Sequence, residues 1–211
     1  MRGVIPGAIG GVLVGLGLGV WLGSSSLFSL QEPDYDAHGE AVYQGRPTSF
    51  WLQQLEDHNP IYRQEALQAL EKLAPHDERA VGALAETLKD GDARVRVGTA
   101  IALRQLGPQA RPAIPALLAA LEDRNQHVRS NAVAALGRFG PEDGTIMAAL
   151  ANALADPSPI VRQMAVNAIA ETGRAARALL PALRQAITDA DENVRRDAAE
   201  ALVKIEGTND P

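Results

Sequence analysis

No cysteine occurs anywhere in the 211 residues, which excludes disulfide staples, thiolate nucleophiles and thiolate metal ligands together. It leaves the redox compartment open. Aromatic residues are scarce, at 4%, while alanine and leucine dominate the second half. That balance suits closely approaching helices and argues against strands, which favour β-branched and aromatic side chains. Excess positive charge is also missing. The formal net charge is −6, and after Arg2 the next basic residue is Arg46, beyond Glu32, Asp34, Asp36 and Glu40. Nucleic acid is therefore not an expected partner. The four histidines, His38, His58, His76 and His127, are scattered over a linker, a turn, an inter-repeat loop and a helix start. They form no metal set, and no glycine-rich loop is followed by Lys-Ser or Lys-Thr. Neither a cofactor nor a catalytic residue is expected.

Charge is absent altogether from Gly3 to Gln31, and Val4 to Leu22 is almost entirely apolar. At about 1.5 Å per residue such a run is long enough to cross roughly 30 Å of hydrocarbon. Residues 1–23 are accordingly expected to be a transmembrane anchor, or a cleaved secretory signal ending near Gly23-Ser24-Ser25-Ser26. The lone Arg2 places the amino terminus in the cytoplasm and the remainder outside it, periplasmic in a bacterium, or secreted if the segment is cleaved. Glycines recur every four residues, including Gly7, Gly11, Gly15 and Gly19, a stripe that would let membrane helices self-associate or dock on one another. Residues 24–47 lack apolar periodicity and read as a linker or partly ordered lead-in.

The remainder repeats with a period of 33 and no insertion. Asp57, Asp90, Asp123, Asp156 and Asp189 form one register. Arg63, Arg96, Arg129, Arg162 and Arg195 form another, six residues later, and Ala69, Ala102, Ala135, Ala168 and Ala201 a third. Each period reads as two helices. Asn59, Asp92, Asn125, Ser158 and Asp191 are suited to N-cap the second helix, with Pro60 and Pro159 at its first position. Gly107-Pro108 and Gly140-Pro141 are suited to stop it. The first helix carries Leu84/Leu88, Leu117/Leu121, Leu150/Leu154 and Leu183/Ile187, an i, i+4 pair on one buried face, with Trp51/Leu55 in the same places one period earlier. Five hairpins follow, at about 48–74, 75–107, 108–140, 141–173 and 174–206, in a repeat domain spanning 48–207. The fold class is all-α, an α-solenoid of stacked helical hairpins. An Arg in the first turn of a helix opposes the macrodipole, so each is expected to take the carboxylate of the Asp in the preceding turn as a structural ladder.

The run Asp123-x-x-x-His127-Val128-Arg129-x-x-Ala132-x-x-Ala135-Leu136-Gly137-x-Phe139-Gly140, with Pro115-Ala116-Leu117 upstream, resembles the short HEAT-like repeat named after bilin (phycobilisome) lyases. The resemblance covers 48–206. It implies a scaffold whose second helices line the concave surface. On that face lie Gln64 and Gln68, then Val97, Ile101 and Arg104, then Ser130 and Ala134, then Gln163 and Asn167, and finally Arg196 and Glu200, with Glu71, Gly137, Ala170 and Val203 completing the stripe. Its middle is small or apolar, which suits a partner segment. The expected function is a non-enzymatic, membrane-anchored scaffold for a protein partner. The alternatives are an enzyme or lyase-like accessory protein, and a self-assembling structural membrane protein. Lyase activity is not carried over, because repeat similarity concerns the scaffold and not a site.

Overall fold

The computed structural model describes residues 34–140 and 143–207. The apolar segment 1–23 and its glycine stripe lie outside them. Among the described residues no helix is long and apolar enough to cross a membrane, and this corrects the expectation of a single-pass membrane protein.

Five helical hairpins follow one another from Thr48 onward. They are α1 (Thr48–Gln54) with α2 (Pro60–Leu73), α3 (Glu78–Thr87) with α4 (Ala93–Leu106), α5 (Ile114–Ala120) with α6 (Gln126–Gly137), α7 (Gly144–Ala153) with α8 (Pro159–Glu171), and α9 (Leu180–Ala186) with α10 (Glu192–Glu206). Four of the five expected N-caps act through their side chains, Asn59, Asp92, Asn125 and Asp191 each accepting a backbone N–H from two residues ahead. Ser158 departs from this. It stands at the N-cap of α8, but its hydroxyl donates to Gln126 Oε1 of the preceding hairpin at 2.7 Å. Gly107 ends α4 at a φ of +55°, open to glycine and strained for other residues. The chain then continues as a 3-10 segment, Gly107–Ala113, and a second one, Gly173–Leu179, follows α8.

The core is a single continuous layer between the two rows of helices. Of the i, i+4 pairs, the leading residue is fully buried in Leu84, Leu117, Leu150 and Leu183. The trailing one lies nearer the rim: Leu88 is buried, Leu121 and Leu154 are half-buried, and Ile187, in the last described hairpin, is 41% exposed. Second helices of successive hairpins pack closely along their length, whereas first helices of successive hairpins touch little. The second helices thus form the tighter row, and the stack curves toward them. Small residues permit that approach. The registered alanines are buried throughout, and Gly137 of α6 lies so near α8 that an added Cβ would stand 2.7 Å from the Cβ of Ala168 and 3.2 Å from its Cα.

Residues 34–47, read from sequence as linker, form a small antiparallel sheet of β1 (Asp34–Tyr35), β2 (Ala41–Tyr43) and β3 (Arg46–Pro47) in the order β1-β2-β3. It is tied to the first hairpin. Trp51 Nε1 donates to the Tyr43 and Arg46 carbonyls, Thr48 Oγ1 donates to the carbonyl of buried Ala41, and the Arg46 guanidinium lies 4.1 Å from the centre of the Phe50 ring. Strand β2 packs on α2. Ala69 is consequently 1% exposed, as hidden as its registered partners, although no helical hairpin precedes it among the described residues. The sheet takes the place of a preceding second helix at that end of the stack.

A Gly→Ala change inside a helix ordinarily gains up to about 1 kcal/mol of helix propensity. At Gly137 the contact with Ala168 opposes that gain, and Gly137→Leu is expected to destabilise by about 1–3 kcal/mol through overpacking. Gly82→Ala, in α3 with open space around its Cα, should be neutral or stabilising. Urea denaturation of both variants distinguishes them, and an unchanged midpoint for Gly137→Leu would refute the close approach.

Candidate functional site: the ladder and the groove of the second helices

The Asp and Arg registers meet, but across hairpins. Arg63 forks onto Asp90, Nε and Nη2 each donating to one carboxylate oxygen at 2.7 Å. Arg96 does the same to Asp123, Arg129 to Asp156 and Arg162 to Asp189, all between 2.6 and 2.9 Å. Each partner is therefore 27 residues ahead, and the expected pairing with the aspartate of the preceding turn is corrected. What that nearer aspartate supplies is its main-chain carbonyl, which accepts from Nη1 of Arg63, Arg96, Arg129 and Arg162 at 2.8–2.9 Å. Each ladder Asp also takes the backbone N–H two residues on, rounding its own turn. The two ends of the ladder differ. Among the described residues Asp57 meets no arginine fork, and Arg195 keeps only carbonyl contacts, to Asp189 and Ala190.

These carboxylates sit in mostly dry surroundings. Burial works to raise the Asp123 and Asp156 acids, but the facing guanidinium and a backbone N–H outweigh it and hold both below the usual carboxylate range. For Asp189 the Arg162 fork is the leading cause of the same lowering. Asp123 and Asp156 border a hollow of about 480 Å³ together with Arg129, but their carboxylate oxygens are taken up by the forks and by the backbone N–H groups of their own turns, and the ladder is a stacking device.

The expected partner stripe is only partly a surface. Ser130 is 4% exposed and its hydroxyl donates to the His127 carbonyl, and Gly137 is buried against α8, so neither faces a partner. Val97 packs on the core, Gln163 donates to Asp197, Arg196 pairs with Asp197, and Glu200 is exposed near the far end. The other stripe residues come together in two hollows. One, of about 540 Å³, is lined by Gln64, Gln68 and Ile101 with Leu67, Gly98 and Tyr43 of the sheet. The second, of about 460 Å³, is lined by Arg104, Ala134 and Asn167 with Arg138, Met164, Ala168 and Glu171. Gln105 borders both, so the two hollows adjoin and make up a groove along the second helices with Gln105 between them. Tyr43, Gln105, Arg138 and Glu171 were not anticipated. The last three follow the stripe's final position by one residue, and Tyr43 lies in a segment without periodicity. Among the described residues no cluster of His, Asp and Glu could hold a metal ion.

Stacked helical hairpins, a continuous core and a groove on the tighter row define an α-solenoid repeat protein. Residues 48–113 and 147–211, more than half of the chain, match HEAT repeats, and residues 103–139 match a HEAT-like repeat. The chain belongs to the HEAT-repeat family. Solved structures share the fold at low identity. The complex of CpcE and CpcF of phycocyanin lyase from Nostoc sp. is 22% identical, covering 83% of this chain and 71% of that one at a TM-score of 0.63. A designed armadillo repeat protein in complex with the peptide (KR)4 is 21% identical, covering 75% and 81% at a TM-score of 0.56. An engineered protein is 20% identical, covering 76% and 79% at 0.54. No curated protein matches the chain.

Arg129→Ala leaves the Asp156 carboxylate half-dry and unpaired. It is expected to cost roughly 2–4 kcal/mol, at or below the range for a fully buried pair because both side chains keep some contact with solvent. Chemical denaturation checks this. Because the folded-state values of Asp123, Asp156 and Asp189 are depressed, their contribution is complete above the unfolded value of about 3.9 and is lost as pH falls through the folded values. Helical circular dichroism at fixed temperature should therefore begin to fail only below about pH 4, and loss of structure already at pH 6 would contradict the ladder's role.

Proposed function

We propose that the protein is a non-enzymatic scaffold whose groove along the second helices holds an extended segment of a protein partner. The observation that carries this reading is that two hollows adjoin at Gln105 along the row of α2, α4, α6 and α8. The groove has an apolar middle at Ile101, Ala134 and Met164 and amide side chains at Gln64, Gln68 and Asn167. Apolar area provides affinity, and amides can meet the unpaired N–H and C=O groups of an extended main chain. The designed armadillo protein that shares the fold is in complex with a peptide, and the phycocyanin lyase neighbours are a complex of two chains. Both support a polypeptide partner.

Replacing Ile101 by Glu puts a charge on the groove's apolar middle without entering the core, since Ile101 is half-buried. Ile101→Glu is expected to weaken capture of a fluorescein-labelled extended peptide at least tenfold, about 1.4 kcal/mol, with circular dichroism unchanged. Fluorescence anisotropy measures it, and equal affinity of variant and wild type for every peptide bound would exclude this groove.

A further inference from the structure

The groove's charges do not cancel. At its sheet-proximal end Glu71 is met by Lys72 at 2.9 Å, and the side-chain amide of Gln105 can donate to the same carboxylate. Around the second hollow the situation is different. Arg104 and Arg138 both line it, and neither makes an ion pair among the described residues, although Arg63, Arg96, Arg129 and Arg162 of the second helices each fork onto a carboxylate. The two side chains border the same hollow from adjacent hairpins. Arg138 reaches from the end of α6 back to the end of α4, where a Cβ built on Gly107 would lie 3.4 Å from its Nε and 3.8 Å from its Nη2. Arg104 stands one turn earlier on α4. The last carbonyls of α4 favour positive charge there, which helps to hold two like charges together, but they leave donors of both forks unspent. The one acid of the hollow, Glu171, is exposed at its α8 side and pairs with neither arginine. The floor between them is apolar, from Ala134, Met164 and Ala168.

We propose that this hollow is an acid-reading subsite: Arg104 and Arg138 together bind the carboxylate of an Asp or Glu side chain in an extended partner segment. A neighbouring aliphatic side chain of that segment enters the hollow lined by Ile101, Leu67 and Tyr43. This rests on the peptide-binding reading of the groove and adds the partner's chemistry to it. Paired guanidiniums match a carboxylate because their planar donors can give two parallel bonds. The sign is local, since the chain as a whole carries −6, so a long polyacidic partner gains nothing from the rest of the surface.

The full chain is titrated with two fluorescein-labelled ten-residue peptides, one alternating Glu and Leu, the other alternating Lys and Leu, at about 50 mM salt where surface electrostatics are not masked. The Glu-Leu peptide is expected to bind at least about tenfold more tightly. The double variant Arg104→Glu, Arg138→Glu is expected to invert the order. Lys89→Glu, an exposed charge change outside the groove, should leave it unaltered. If the Lys-Leu peptide binds as well as the Glu-Leu peptide and both are lost on Ile101→Glu, the groove stands and the acid-reading subsite falls. A Glu-Leu preference that survives the double variant likewise overturns the subsite. Binding of neither peptide overturns the groove itself.

Discussion

An arginine fork that grips the carboxylate of the next hairpin is the constraint on which the arrangement of this stack rests. Apolar burial supplies most of the free energy, because each fully hidden leucine contributes about 1.5–3 kcal/mol, but it has little direction. Two layers of Leu and Ala would tolerate small slides past one another. The fork has direction. Nε and Nη2 of Arg96 must meet both oxygens of Asp123 while Nη1 meets the Asp90 carbonyl, so one side chain ties its own turn to the following turn. With four such ties, turn faces turn along the whole row, and the second helices are held at the distance at which Gly137 can touch Ala168.

The hairpins were legible because their determinants are local: leucines four apart, a capping side chain before four of the five second helices, and a glycine with positive φ after three of them. The partner of each arginine was not. Translation by 33 residues makes an aspartate six residues back and one 27 residues ahead equally regular, and only the ends of the array break the tie. Among the described residues Asp57 meets no fork and Arg195 no carboxylate, the pattern of a bridge that points forward. The small sheet was illegible for a different reason. Strands of two or three residues carry too few side chains for alternation to show, and their stability comes from Trp51 and Thr48 of the neighbouring hairpin.

Burial along the partner stripe likewise followed neighbours and not spacing. Ser130 and Ala134 lie four apart on one helix, yet Ser130 is closed in and Ala134 lines the groove. The reason is that α6 sits in the middle of the stack, where α4 and α8 both press on it. Its small residues serve contact on one part of the face and make room on another. The groove exists because side chains are small where the second helices pack most closely, so one set of alanines both closes the core and opens the surface.

In a stack built by translation, positions that repeat faithfully are those whose surroundings also repeat, and these hold the hairpins together. Positions that differ from one hairpin to the next have no counterpart to satisfy inside the array. The final stripe position reads Glu71, Arg104, Gly137, Ala170 and Val203, and the next reads Lys72, Gln105, Arg138, Glu171 and Lys204. Gly137 and Ala170 apart, the side chains of these registers are polar or exposed, and between them they decide the charge of the groove. The symmetry-breaking arginines fall in adjacent hairpins, so the curvature that brings α4 toward α6 also brings their guanidiniums to one hollow. A repeat fold can in this way build a local site from residues that no single repeat contains.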